Sequence, residues 1–217
     1  MHKTLSIRLI VTLLPMITVI LGGSAQNSMK QLMTLPEQRV DSIFLGQPLN
    51  TRLDLIDYFE AGSKAFTRDS YFGANISLTK LDDRHATFST DANLSINAYM
   101  LTPGTDSVMV FVIDTPLPDK DVFVKVDDIK TGKTIDSVRP VYSDWLNPAT
   151  LAQYSEAWLL SQIPFVTYKA DVDTSANTIT LINTSITTPG LEQKITEVFK
   201  PSLKYIWNGK NFVLSTK

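Results

Sequence analysis

The stretch DSVMVFVIDT, residues 106–115, constrains the fold more than any other part of the chain. From Val108 to Ile113 every side chain is apolar, and Asp106 and Asp114 bound the run. Successive side chains of a strand point to opposite faces, so an unbroken apolar run predicts a central strand buried on both. Such a strand needs partners on both edges. The surrounding sequence supplies them as short segments at 76–82, 85–90, 93–101, 121–127 and 133–138, beside the run itself at 106–115. Asp82-Asp83, Pro103-Gly104 and Thr131-Gly132 mark tight reversals between them. Short turns between neighbouring strands predict an antiparallel meander.

Helical patterns flank this meander. Residues 26–50 read as short helical pieces, with Pro36 suited to a first turn. Residues 51–66 read as the clearest helix, capped by Asn50 or Thr51, with Thr51 and Asp54 as a capping-box pair. Leu53, Leu55, Ile56, Tyr58, Phe59, Gly62 and Phe66 fall on its apolar arc. Beyond a connection from Pro140 to Pro148, residues 149–161 read as a helix with Leu151, Tyr154, Trp158 and Leu159 on one side. Strands at 165–173 and 178–186 follow, then a helix at 190–199 with Leu191, Ile195, Val198 and Phe199 on one stripe. A closing hairpin turns at Asn208-Gly209. The predicted class is α+β, an antiparallel meander packed against a few helices. It reads as one domain over 26–217, with sub-lobes 26–140 and 141–217 if the Pro140–Pro148 connection divides it.

The first 25 residues have a basic start (His2, Lys3, Arg8), an apolar run from Leu9 to Leu21 and the small residues Gly23-Ser24-Ala25. This is the layout of a cleavable signal peptide with cleavage after Ala25. The run falls short of the roughly 20 residues of a membrane span. The expected location is therefore secreted or periplasmic. The chain has no cysteine. That excludes the lipoprotein route, disulfides, Cys-ligated zinc and thiol catalysis. Twenty basic side chains face 22 acidic ones, and Lys3 and Arg8 leave with the leader. A mildly acidic chain without a basic cluster argues against nucleic acid as a partner. No second apolar run approaches a transmembrane span.

Candidate chemistry is sparse. Asp54, Asp57 and Glu60 repeat at a spacing of three on the predicted helix. Early acids suit the helix dipole, and Glu60 with Lys64 makes an i,i+4 pair, so a solvated face accounts for all three. His85 is the one histidine beyond the leader. With Asp82 and Asp83 it lacks the ligand count of a metal site, and there is no G-x-S-x-G elbow to build a serine triad around it. DVDTSANT at 171–178 begins like a calcium loop but lacks the central glycine, and Ile182 stands where a bidentate glutamate belongs. Gly132 and Lys133 have no partner glycine for a phosphate loop. No catalytic residue, metal or cofactor is therefore expected. Tyr205, Trp207 and Phe212 flank the last turn and are the candidate partner or ligand surface, with core packing as the competing reading.

After the leader come MKQLMTLPEQ, NTRLDLIDYFEAG and ISLTKLDD, and the chain closes in YIWNGKNFV. This pattern resembles a family of secreted Bacteroidales proteins known as domain of unknown function 3256. The resemblance runs over nearly the whole mature chain, and most strongly over the N-terminal helices through Phe59 and the closing hairpin. It implies an envelope-facing life in a gram-negative anaerobe of gut or mouth, and it carries over no catalytic residue. The expected function is non-enzymatic binding or assembly in the cell envelope, with an envelope protein or a glycan as partner. The alternative from another class is a carboxylate hydrolase of glycosidase type, which needs two acids about 5–10 Å apart in a concave pocket. Inhibition of an enzyme is a third reading, by fold analogy alone.

Overall fold

A computed structural model describes residues 28–63, 75–104, 106–115, 122–151, 154–187 and 196–215. The leader, Lys64 and Phe66, and the first part of the predicted 190–199 helix lie outside the described residues. The class is α+β, as the sequence predicts. Three N-terminal helices, α1 (Met29–Met33), α2 (Gln38–Ile43) and α3 (Leu49–Glu60), precede six strands. These are β1 (Ile76–Leu81), β2 (His85–Thr90), β3 (Ser95–Leu101), β4 (Val108–Asp114), β5 (Val122–Asp128) and β6 (Thr134–Val138). They form one antiparallel sheet in simple sequence order. After a 3-10 turn at Tyr142–Trp145 come α4 (Pro148–Leu151), α5 (Glu156–Gln162), β7 (Tyr168–Asp173), β8 (Thr178–Asn183), β9 (Ser202–Trp207) and β10 (Phe212–Leu214). The last four strands make a second antiparallel sheet in the order β10-β9-β8-β7.

The two faces of the first sheet are covered by different layers, and the layers are staggered. The N-terminal helices pack on residues from β1 to β4, among them Ile76, Phe88, Ile96, Ala98, Met109 and Phe111. The second sheet and its helices pack on the opposite face, over Val108, Val110 and Val112 of β4, Val122, Val124 and Val126 of β5, and Val138 of β6. Strand β4 lies where the layers overlap, so its alternate side chains enter both cores. This is the physical origin of the apolar run Val108–Ile113. The Pro140–Pro148 connection contributes to the second core: Trp145 is buried there, and its carbonyl accepts from Lys200 N at 2.6 Å. One core cluster thus takes residues from both sides of that connection.

Several local expectations are corrected. Helix α3 begins at Leu49 with Pro48 as its cap and ends at Glu60; neither Asn50 nor Thr51 caps it. Ala61 and then Gly62, at φ +66°, close it in a conformation that suits glycine. The capping box belongs instead to α1, where Ser28 and Gln31 satisfy each other's backbone. The predicted 149–161 helix is two pieces, because Ser155 opens a new helix by accepting from Trp158 N. Leu53 and Tyr58 are exposed, whereas Arg52, the residue before Leu53, is fully buried.

Gly132, at φ +68°, follows the β5–β6 turn directly beneath α2. A Cβ there would lie 2.5 Å from the Arg39 carbonyl oxygen. Gly132→Ala should therefore cost about 2 kcal/mol through strain at positive φ and the steric clash, read as a lower thermal midpoint.

Candidate functional site

The closing hairpin carries the predicted aromatics, and strand alternation separates them. Leu203 and Tyr205 face inward while Lys204 and Ile206 face out. Tyr205 and Phe212 are buried in the second core, and burial pushes the Tyr205 phenol up to about 12. Those two of the three predicted surface aromatics are therefore packing residues. Trp207, at the end of β9, is only partly buried; it packs edge-on against Phe212 with ring centroids 5.2 Å apart. Its backbone N–H donates to Asn177 O at 3.3 Å, while its indole Nε1–H is buried without an acceptor. The turn beyond it is a four-residue loop, Asn208–Asn211, rather than a two-residue reversal. Asn208 Oδ1 accepts from Lys210 N and Asn211 N at 2.9 Å each, and Gly209 takes φ +98°.

Trp207 forms one wall of a cleft of about 350 Å³ between this hairpin and the turns of the first sheet. Asp106 and Ser107 enter from the β3–β4 side, Asp128 and Lys130 from the β5–β6 turn, and Gly209 and Lys210 from the hairpin. A bulge shapes the remaining wall. Pairing passes from Val126↔Asp136 to Asp127↔Thr134, which leaves Ile135 as an extra residue of β6, exposed and lining the cleft. Asp136, next to the bulge, accepts from Phe212 N at 2.8 Å and so ties β10 to β6. Neither Ile135 nor Asp136 stands out in the sequence, because TIDSV has no glycine or proline to signal a bulge.

Three of the four charged side chains of the cleft, Asp106, Asp128 and Lys130, are already engaged. Lys130 Nζ lies 2.7 Å from Asp106 Oδ1, and this hydrogen-bonded pairing holds the lysine pKa above its usual range. Asp128 Oδ1 accepts from the backbone N–H of Lys130 at 2.6 Å and of Thr131 at 3.3 Å, closing the turn. Two carboxylates thus share the cleft, one in an ion pair and the other in a turn. Such a surface offers an aromatic face, acceptors and ammonium donors to a polar ligand, the combination expected of a small-molecule site with few orienting groups.

The other sequence candidates have structural roles. Asp54 and Asp57 are exposed on α3, and Glu60 pairs with Lys30 of α1. Asp173 Oδ1 accepts from Ser175 N, Ser175 Oγ and Ala176 N, which makes an Asx turn of the calcium-like stretch. Among the described residues no group of three or more His, Asp or Glu could hold a metal ion. Asp82 Oδ1 accepts from Arg84 N and His85 N at the β1–β2 turn.

His85 itself joins a network that sequence reasoning missed. Its ring stacks on Tyr99 with centroids 4.2 Å apart, and its Nε2 lies 3.1 Å from Thr87 Oγ1 and 3.3 Å from Asn97 Oδ1. Asn97 Nδ2 donates to Asp114 Oδ2, which fixes the amide so that its oxygen faces His85 and Thr87. That oxygen can only accept, so both Thr87 O–H and His85 Nε2–H donate to it. An imidazole protonated at Nε2 cannot take the Thr87 proton, so this is not a nucleophile–base pair. Burial, with Lys80 nearby, holds the imidazole pKa below its usual range.

No family model matches the chain, and no curated protein matches it. A solved structure does: a domain of an uncharacterized protein from Porphyromonas gingivalis W83 is 17% identical, with a TM-score of 0.59, over 86% of this chain and 96% of that one. At that identity the likeness is one of fold. The neighbour comes from a member of the Bacteroidales, the group to which the sequence resemblance points.

Proposed function

We propose that this chain is a non-enzymatic binding protein of the cell envelope, secreted or periplasmic, and that its cleft at Trp207 takes a glycan. The resemblance to the secreted Bacteroidales family 3256 and the leader over residues 1–25 support the location. Among the described residues no helix is long and apolar enough to cross a membrane. The observation that carries the binding reading is Trp207 itself: a partly exposed indole in a cleft walled by Asp106, Asp128, Lys130 and Lys210. An aromatic face packs against the apolar face of a sugar ring, while acids and ammonium groups meet its hydroxyls. A hydrolase would need one cleft acid free to protonate a leaving group. Asp106 is held by Lys130, and Asp128 is engaged by its turn.

Titration with peptidoglycan fragments and envelope polysaccharides, followed by calorimetry, tests this. Trp207→Ala should weaken the binding about tenfold or more, as truncation of an aromatic anchor does. Trp207→Phe removes a donor that has no acceptor and should keep stability within about 1 kcal/mol of wild type. A folded Trp207→Ala protein with full affinity would overturn the assignment, as would release of reducing ends from any of these glycans.

A further inference from the structure

Among the described residues the stagger of the layers leaves Phe123 and Lys125, on the helix-side face of β5, only half-buried, and a second cavity lies there. It measures about 650 Å³, within the range of small-molecule sites, and Leu45, Ile113 and Phe123 supply its apolar walls. We propose that this cavity binds an amphipathic organic anion, a carboxylate on an apolar body, with its head between Lys125 and the Arg139 guanidinium and its body against those three side chains.

Charge argues for the anion. Lys125 lines the cavity, with its ammonium 5.6 Å from the centre of the Phe111 ring and 2.7 Å from Asp127 Oδ2. Phe123, a cavity wall, carries the Arg139 guanidinium 4.8 Å above its ring. Among the described residues Asp127 is the one carboxylate in ion-pair distance of either cation, and it pairs with Lys125, so the charge that remains over is that of Arg139, beside the cavity on its Phe123 wall. Cations held on aromatic faces are positioned without being neutralised.

The backbone argues that the wall is built for occupancy. Leu45 sits at the position after α2 where glycine usually ends a helix, with Gly46 N–H donating to Asp41 O at 2.7 Å. It takes φ +61°, a left-handed conformation that γ-branched residues rarely adopt. Strain of this kind persists where the surroundings fix it, and it clusters at ligand sites. Here the strained residue is one that walls the cavity.

Calorimetric titration of the purified protein with decanoate, decanol and decylamine tests the proposal, which is independent of the Trp207 cleft. Decanoate should bind about tenfold or more tighter than decanol, the usual gain of a hydrogen bond to a charged group, and decylamine should bind weakest. Lys125→Met endangers folding because it strands Asp127, so two surface variants keep the test sound. Arg139→Gln should weaken decanoate about threefold and leave decanol unchanged. Ser42→Trp, which fills the cavity from the exposed side of α2, should abolish both while the protein stays folded. Trp207→Ala should change neither. Equal affinity for decanoate and decanol would overturn the anion assignment. Binding that survives Ser42→Trp, or no binding of decanoate at millimolar concentration, would overturn the site.

Discussion

Arg52→Met should destabilise the protein by about 3–5 kcal/mol, read as a lower urea midpoint at unchanged slope. Arg52 is completely buried. Its Nε donates to Met33 O at 2.8 Å, Nη2 to Leu35 O at 2.7 Å and Nη1 to Gln47 O at 2.6 Å, and Nη1 also pairs with Asp41. One side chain on α3 therefore fastens the end of α1, the segment after it, α2 and the turn before α3. Helices of five and six residues do not hold themselves in water, so their order comes from what they dock on. Methionine keeps most of the volume but leaves three carbonyls and a carboxylate without their donor. Arg52→Lys should recover little, because a point ammonium cannot span four acceptors arranged around a planar fork. A methionine variant within 1 kcal/mol of wild type would mean that water replaces the guanidinium and that the helices are held by apolar packing alone.

The same residue shows where sequence reasoning stops. Strand segments were legible because turn chemistry punctuates them: Asp82-Asp83, Pro103-Gly104 and Thr131-Gly132 lie in or beside observed turns, and β2 spans residues 85–90 as expected. The apolar run of β4 was legible because double burial leaves a compositional mark. On α3 the reading fails. An arginine is ordinarily exposed and a leucine ordinarily buried, so the apolar arc takes Leu53 and Tyr58 inward, yet both are exposed and Arg52 is not. Only the carbonyls brought together by the tertiary fold make the arginine affordable there, and no local pattern announces them. The candidate site divides in the same way. Alternation along β9 separates Tyr205 from its exposed neighbours, but which face meets the core depends on a sheet packed from the other half of the chain. Trp207 owes its place to the hairpin's end, and its cleft owes one wall to a bulge at Ile135 that has no sequence signal.

Lys125 and Asp127 should behave as an energetic pair. Asp127 is fully buried, and its one ionic partner among the described residues is Lys125 at 2.7 Å. Although that separation is short, neither carboxylate oxygen has a donor in hydrogen-bonding geometry, so the contact is ionic and poorly directed. A buried pair of this quality recovers little of what its desolvation costs, but either half alone is worse than both. Lys125→Met should thus lose about 3–5 kcal/mol, whereas Lys125→Met with Asp127→Leu should return to within about 1 kcal/mol of wild type or exceed it. A double-mutant cycle in urea measures the difference as a coupling energy. Recovery in the double variant would mean that the pair adds no net stability, which leaves the placement of an ammonium at the cavity as its physical consequence. A single Lys125→Met variant as stable as wild type would mean that Asp127 is satisfied without the lysine. The ammonium would then be placed at the cavity by the Phe111 ring and not by Asp127, and its charge would add to that of Arg139.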